Sequence, residues 1–319
     1  MNILFLSIGG NPAMDMAFHG FVSLNHHVFE YPVWHHRHGA DFNLALTNIP
    51  IEVYTLDQLR NNFFDLILID IVPPDHNLVE DFAILLDNST PFCVVDQTGV
   101  NTSVDWKNKP YNGRIPLCKF VRVIPDDTAI ETQETLLMSV RRDWKGPIAT
   151  DYKQIYLSTF MACTYMSFHD SRFRRLLVED VFKEYPGCYF NNTFRFGLLK
   201  YLELIAQSKS SINIKGMEWD CWRFWEVLNT GSLLIAENSN EAINFDPPFI
   251  NYEHYVNFKF IFDYTPNVGP HVCKQLCNAL DFVSGNAGEA AKIAANGRAF
   301  ALDCHSSINR AEQIIKHLK

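Results

Sequence analysis

The chain has 319 residues, of which 47% are hydrophobic and 20% charged, and its formal net charge is −9. At about 150 residues per domain this length suggests two domains with sizeable cores. The acidic balance gives no electrostatic footprint for nucleic acid or for an anionic membrane, and no apolar run reaches the roughly 18 residues that a membrane span requires.

Met1 to Leu6 is apolar with no basic stretch before it and no cleavage pattern, so it reads as a buried first strand rather than a secretory signal. Eight cysteines stand at 93, 118, 163, 188, 221, 273, 277 and 304, mostly inside apolar runs. Cys273 and Cys277 have helical i,i+4 spacing, but no second Cys/His pair completes a zinc site. A reducing cytoplasm is expected.

Ile3 to Ile8 is the first apolar run, ending in Gly9-Gly10-Asn11-Pro12. His27 to Tyr31, Leu66 to Asp70 and Phe92 to Asp96 are further runs, with helix-like stretches at Leu56 to Phe64 and Val79 to Leu86. Near-continuous apolar runs separated by helices predict a parallel sheet covered on both faces. From Asn101 to Lys153 the chain is rich in Pro, Asn, Asp and Thr, and the interdomain connection is placed near residues 145–153.

A second alternation follows. Gln154 to Phe160, Ser211 to Ile214 and Leu233 to Ala236 read as strands, and Tyr189-Phe190 begins another apolar stretch. Helices are predicted over Arg172–Glu184, Phe196–Gln207, Cys221–Leu228, His271–Phe282, Glu289–Ala301 and Ser307–Leu318, the third ended by Gly231. Two βα-alternating halves predict an α/β protein of two Rossmann-like domains facing a cleft, residues 1–150 and 151–319.

The stretch from Lys215 to Ser232 carries the most chemistry. A strand ends at Ile214, the chain turns at Gly216, and Asp220 stands where a residue can cap the next helix. The N-terminus of that helix offers partial positive charge and free N–H groups to a diphosphate. Arg223 and Glu226, three apart, share a face that Thr230 continues. A guanidinium is a forked donor for phosphate oxygens, and a carboxylate accepts from both hydroxyls of a ribose. The alternative is an exposed Arg223–Glu226 pair of about 0.3–0.5 kcal/mol. Two tryptophans and a phenylalanine on the same helix require burial and weigh against it.

The order Ser208-Lys209, Ile212-Asn213-Ile214-Lys215-Gly216, Arg223-Phe224-Trp225-Glu226-Val227-Leu228, Gly231-Ser232 resembles GT-B glycosyltransferases. It is most similar to the spore-maturation-type and the protein O-glucosyltransferase (capsule-associated) groups. Glu218 and Glu226 also match the Glu-x7-Glu spacing of many GT-B enzymes, in which the second Glu contacts the donor ribose and the first lies near the sugar. His254-Tyr255-Val256 resembles a "His-Tyr-Val" of the glucosyltransferase group, and Ile293-Ala294 through Gly297 to Phe300 its "Ile-Ala-x-x-Gly-x-x-Phe" helix. Asp15 to Gly20 and Tyr31-Pro32 look like the start of related chains. The resemblance is good over residues 196–301 and weak over 1–150. The loop after Phe160, Met161-Ala162-Cys163-Thr164, lacks a glycine that many relatives have.

The resemblance implies transfer of a sugar from a nucleoside-diphosphate sugar, UDP-linked, to a glycan, protein or small-molecule acceptor. No cofactor is expected beyond that donor substrate, and no metal. Donor-binding candidates are Gly10, Lys215, Gly216, Glu218, Arg223, Glu226, Ser232, His254 and Tyr255. Lys215 and Arg223 are assigned to the departing diphosphate, Glu226 to the ribose, and Glu218 or His254 to the sugar side. The last helix is expected to return to the N-terminal domain. Asp15, His19 and Asp96 are candidate bases, since they follow strand ends, and Asp70 is read as a strand-end residue or a cap. His35-His36-x-His38 looks like a metal cluster but has no carboxylate beside it, so it reads as a solvated loop. An inactive glycan- or nucleotide-binding protein of this fold and a sugar-nucleotide epimerase are the alternatives.

Overall fold

The computed structural model describes residues 1–7, 12–33, 52–71, 85, 89–96, 117–121, 133–141, 144, 146–161, 169–191, 197–215, 220–237, 245–259 and 268–318. The chain divides into two compact units. One is Met1–Ser139 with Ser306–Lys319, the other Val140–His305.

The first unit holds a parallel sheet in the order β2-β1-β3-β4-β5-β6. Its strands are β1 (Asn2–Leu6), β2 (His27–Tyr31), β3 (Leu66–Ile71), β4 (Phe92–Asp96), β5 (Lys119–Val121) and β6 (Gln133–Thr135). The apolar runs are nearly continuous because both faces are covered. Ile3, Phe5, Leu66, Leu68, Cys93 and Val95 pack on one side with Met14, Ala17, Phe18 and Phe21 of α1 (Pro12–Ser23). Leu4, Leu6, Ile67, Ile69, Phe92 and Val94 pack on the other with Leu59 of α2 (Leu56–Arg60) and with Phe64. The last two strands, β5 and β6, fall in the polar stretch that carried no strand signal, because three residues are too few to show a period.

The second unit has its own parallel sheet, β11-β10-β9-β7-β8, made of β7 (Tyr156–Met161), β8 (Cys188–Asn191), β9 (Ser208–Asn213), β10 (Leu233–Glu237) and β11 (Val256–Phe258). Its helices are α3 (His169–Glu184), α4 (Leu198–Ala206), α5 (Trp222–Thr230), α6 (Val268–Gly285) and α7 (Ala287–Cys304). Strand β9 begins three residues before the predicted start. Its serines look like a loop in sequence, yet they are buried with their hydroxyls satisfied. Ser208 Oγ donates to Leu204 O at 2.7 Å, Ser210 Oγ to Leu157 O at 3.0 Å and Ser211 Oγ to Thr159 O at 3.1 Å. Small hydroxyls that reach neighbouring carbonyls keep polar residues in a closed sheet without an unpaired group.

Residues 140–150 lie in the second unit, whereas the sequence places the connection at 145–153. Val140 N–H donates to His305 O at 3.1 Å and Arg141 N–H to Asn229 Oδ1 at 3.0 Å, so these backbone groups are satisfied there. The last helix, α8 (Ser307–Ile315), belongs to the first unit. It lies against α1, and a Cβ on Gly20 would stand 2.0 Å from Ser307 O and 2.8 Å from Ala311 Cβ. Only a residue without a side chain permits that approach.

Candidate functional site

In the second sheet the chain order reverses between β7 and β9, which makes their carboxyl ends the switch point where open α/β sheets bind ligands. Helix α5 starts from this edge. Residues 216–219 lie outside the described residues, so Gly216 and Glu218 are not placed. Lys215 lies two residues beyond the end of β9, and its backbone N–H donates to Glu237 Oε2 at 3.0 Å.

Cys221 is the N-cap of α5, and its side chain makes no bond to the helix; its Sγ meets Asn213 Oδ1 at 2.8 Å instead. Burial raises that thiol, although Arg223 opposes the effect, so it remains protonated. Asp220 does not cap the helix as the sequence suggested. Its Oδ1 accepts from Trp225 Nε1 at 2.6 Å, because both groups are buried and the indole N–H is the partner within reach.

Arg223, in the first turn of α5, reaches across the switch point. Its Nη2 donates to Met161 O at 3.0 Å, the last residue of β7, and its guanidinium lies over the Phe160 ring at 5.2 Å. The Nε is buried with no hydrogen-bond partner among the described residues. Glu226, one turn on, is half-buried. Its Oε2 accepts from the Tyr201 hydroxyl at 2.8 Å. Burial raises the Glu226 carboxyl above the usual carboxylate range, while the Tyr201 hydrogen bond and the Arg223 charge pull it back. Arg223 and Glu226 therefore feel each other without forming a direct ion pair, and the exposed-pair alternative does not describe them.

Glu237, at the end of β10, forms a buried ion pair with Arg174 of α3, whose side chains are 3% and 6% exposed. The switch point thus gathers Arg174, Lys215, Arg223, Glu226 and Glu237 at one strand edge. Sequence reading missed Arg174, Tyr201 and Glu237. A charged residue closing the apolar run Leu233 to Ala236 was the available signal for Glu237; nothing in the sequence pairs Tyr201 with Glu226.

Other candidates lie elsewhere. Ser232 Oγ donates to Ile205 O at 2.7 Å, and Thr230 Oγ1 to Val227 O at 2.8 Å. Both are buried at the end of α5, by the amino edge of β10, away from Arg223. His254 and Tyr255 precede β11, again at the amino edge, since Val256 pairs with Ile235. Tyr255 is buried to 1%. His254 is neutral because burial lowers it, and its Nδ1 accepts from Ile250 N–H at 3.0 Å.

The two downstream segments that carried the resemblance meet each other. The His254 ring stacks on Phe300 at 4.0 Å and 11°, and a Cβ on Gly297 would stand 2.1 Å from His254 O. Together with Phe224, Trp225, Phe245, Phe249 and His305 they form one aromatic cluster beneath α5. His254 and Tyr255 thus pack at the edge opposite the switch point. Gly297→Ala should cost about 1–3 kcal/mol, as overpacking of a close backbone contact does; a melting temperature equal to wild type would refute the fit.

In the first unit, Asp15 stands in the first turn of α1 and is 6% exposed, and His19 one turn deeper is 3% exposed. Asp70 lies inside β3 rather than at a cap, and its Oδ2 accepts from Ser7 Oγ at 3.0 Å. The backbone of Asp96 ends β4, but its side chain is not described. Gly10 and the histidines 35, 36 and 38 lie outside the described residues. Among the described residues there is no group of three or more His, Cys, Asp or Glu able to hold a metal ion, and no helix is long and apolar enough to cross a membrane.

No protein-family model and no curated protein sequence matches the chain. Solved structures do resemble it. The Anabaena protein HepE in complex with UDP and glucose aligns with a TM-score of 0.56 at 12% identity, covering 99% of this chain and 98% of that one. A glycosyltransferase from Rickettsia africae aligns at 0.57 and 10% identity over 100% and 97%. Sucrose-phosphate synthase from Thermosynechococcus elongatus aligns at 0.54 and 11% over 99% and 97%. With two parallel-sheet α/β units and these likenesses, the chain has the GT-B fold of two Rossmann-like domains.

Proposed function

We propose that the protein is a glycosyltransferase that takes its sugar from a nucleoside-diphosphate donor, UDP-linked, held at the switch point of the second unit. The observation that carries this reading is Arg223 bridging α5 to the end of β7 while Glu226 stands one turn behind it. Arg223 and Lys215 supply positive charge where the diphosphate leaves, and stabilising that developing charge is the main catalytic effect available to this chain. Glu226 accepts from the ribose hydroxyls. The fold likeness to HepE, solved with UDP and glucose, supports the donor class.

The sequence resemblance to the spore-maturation-type and O-glucosyltransferase groups is in keeping with this reading. The acceptor is a glycan, a protein or a small molecule, and the compartment the cytoplasm. Asp15, His19 and Asp96 are the residues proposed for the base, and Glu218 for the sugar side.

A thermal-shift screen against nucleotides and nucleotide sugars tests the donor. UDP at 100 times its dissociation constant should add about 2.7 kcal/mol of stability. The shift should persist in excess EDTA, since basic side chains and a helix N-terminus stand in for a cation. Loss of the shift in EDTA would overturn metal independence, and no shift with any nucleotide would overturn the donor reading. Slow hydrolysis of the donor would mark a transferase, whereas its conversion to an epimer would mark an epimerase.

A further inference from the structure

We propose that Tyr201 is a positioning residue for Glu226, its hydroxyl holding one carboxylate oxygen so that the carboxylate is aimed and kept ionised for a vicinal diol. This rests on the assignment of Glu226 to the donor ribose. Tyr201 sits in the first turn of α4, which begins at the same strand edge as α5 and packs beside it. Its hydroxyl donates to Glu226 Oε2 at 2.8 Å. A free glutamate on a helix face samples several rotamers, and fixing such a side chain on binding costs conformational entropy. Tyr201 fixes it beforehand.

The geometry leaves acceptor capacity for a ligand. An ionised carboxylate has about four lone-pair sites. Tyr201 occupies one on Oε2, so Oε1 and the remaining site on Oε2 can take two adjacent hydroxyls. Protonation would convert one oxygen into a donor and break this arrangement. Burial favours that protonated form, and Tyr201 opposes it by donating to the charged one. Tyr201 itself cannot become an anion near neutrality, since burial and the neighbouring carboxylate hold it well above its ordinary value. Among the described residues, the charged and titratable groups that act on this pair are Arg223 and Cys221 of α5.

The test is calorimetric titration of UDP across a pH series into wild type, Tyr201→Phe and Glu226→Gln. Tyr201→Phe should weaken UDP about 2–10-fold at neutral pH, a hydrogen bond's ordinary net worth. It should also move the acid limb of the affinity profile upward, with the deficit shrinking as pH rises. 3-Fluorotyrosine at position 201, a stronger donor of nearly the same shape, should move the limb downward, which keeps the test decisive if Tyr201→Phe folds poorly. A residue that merely packs would leave the limb where it is. An unmoved limb, with affinity still lost in Glu226→Gln, overturns the positioning role alone. Unchanged affinity in Glu226→Gln overturns the donor reading and this role together.

Discussion

Glu226→Gln should lower UDP affinity about 10–150-fold and leave the melting temperature unchanged or slightly higher. Hydrogen bonds to charged groups contribute roughly 1.5–3 kcal/mol, which sets that range. The amide keeps the shape of the side chain, and Tyr201 can still donate to its oxygen. Stability moves the other way for a reason of sign. The folded chain holds Glu226 above its unfolded value, because burial disfavours the charge. The folded state therefore binds this proton more tightly than the unfolded one. The group's contribution to stability increases as pH falls through the raised range and is lost as pH rises above it. Donor affinity follows the opposite course, since the ribose requires the ionised form. A site residue that destabilises the fold while it binds the ligand separates the two readouts, and unchanged affinity with a lowered melting temperature would end the ribose assignment.

The second large effect is expected at the Arg174–Glu237 pair. Both side chains are buried, and Glu237 also holds the Lys215 N–H. Glu237→Leu removes the buried carboxylate that pairs with this guanidinium, and breaking such a pair costs about 3–5 kcal/mol. At about 2–4 °C per kcal/mol for a domain of this size, the loss is on the order of 10 °C. Arg174→Met combined with Glu237→Leu should recover most of it, because replacing both charges by apolar groups is close to neutral. Equal losses in the single and double variants would show that the pair's electrostatics are not the cause. The same substitution removes the acceptor of the Lys215 N–H, so donor affinity should fall in the double variant even as stability returns.

Much of the fold was legible because both sheets are buried on two faces, and such strands are written as apolar runs. Leu66 to Asp70 and Leu233 to Ala236 needed no tertiary information. Strand β9 was half hidden, because Ser208 to Ser211 satisfy their hydroxyls on carbonyls that only the folded sheet brings near. At the site, Arg223 and Glu226 were legible from helical spacing and resemblance. Their true partners were not: Met161, Phe160 and Tyr201 stand 62, 63 and 25 positions away, a relation no local pattern encodes. His254 and Tyr255 show the reverse relation: the resemblance marks the segment, and what only the fold adds is the His254 carbonyl on which Gly297 rests.

Helix α8 closes the α1 face of the first unit with Ala311 and Ile314, yet Val140–His305 is encoded between it and the rest of that unit. During synthesis, residues 1–139 leave the ribosome with the seat at Gly20 uncovered, and it stays so until the whole second unit has emerged. Domains that fold as units in order of synthesis meet an inversion here: the unit that starts first is finished last, with its apolar seam open to water or to a chaperone in the interval.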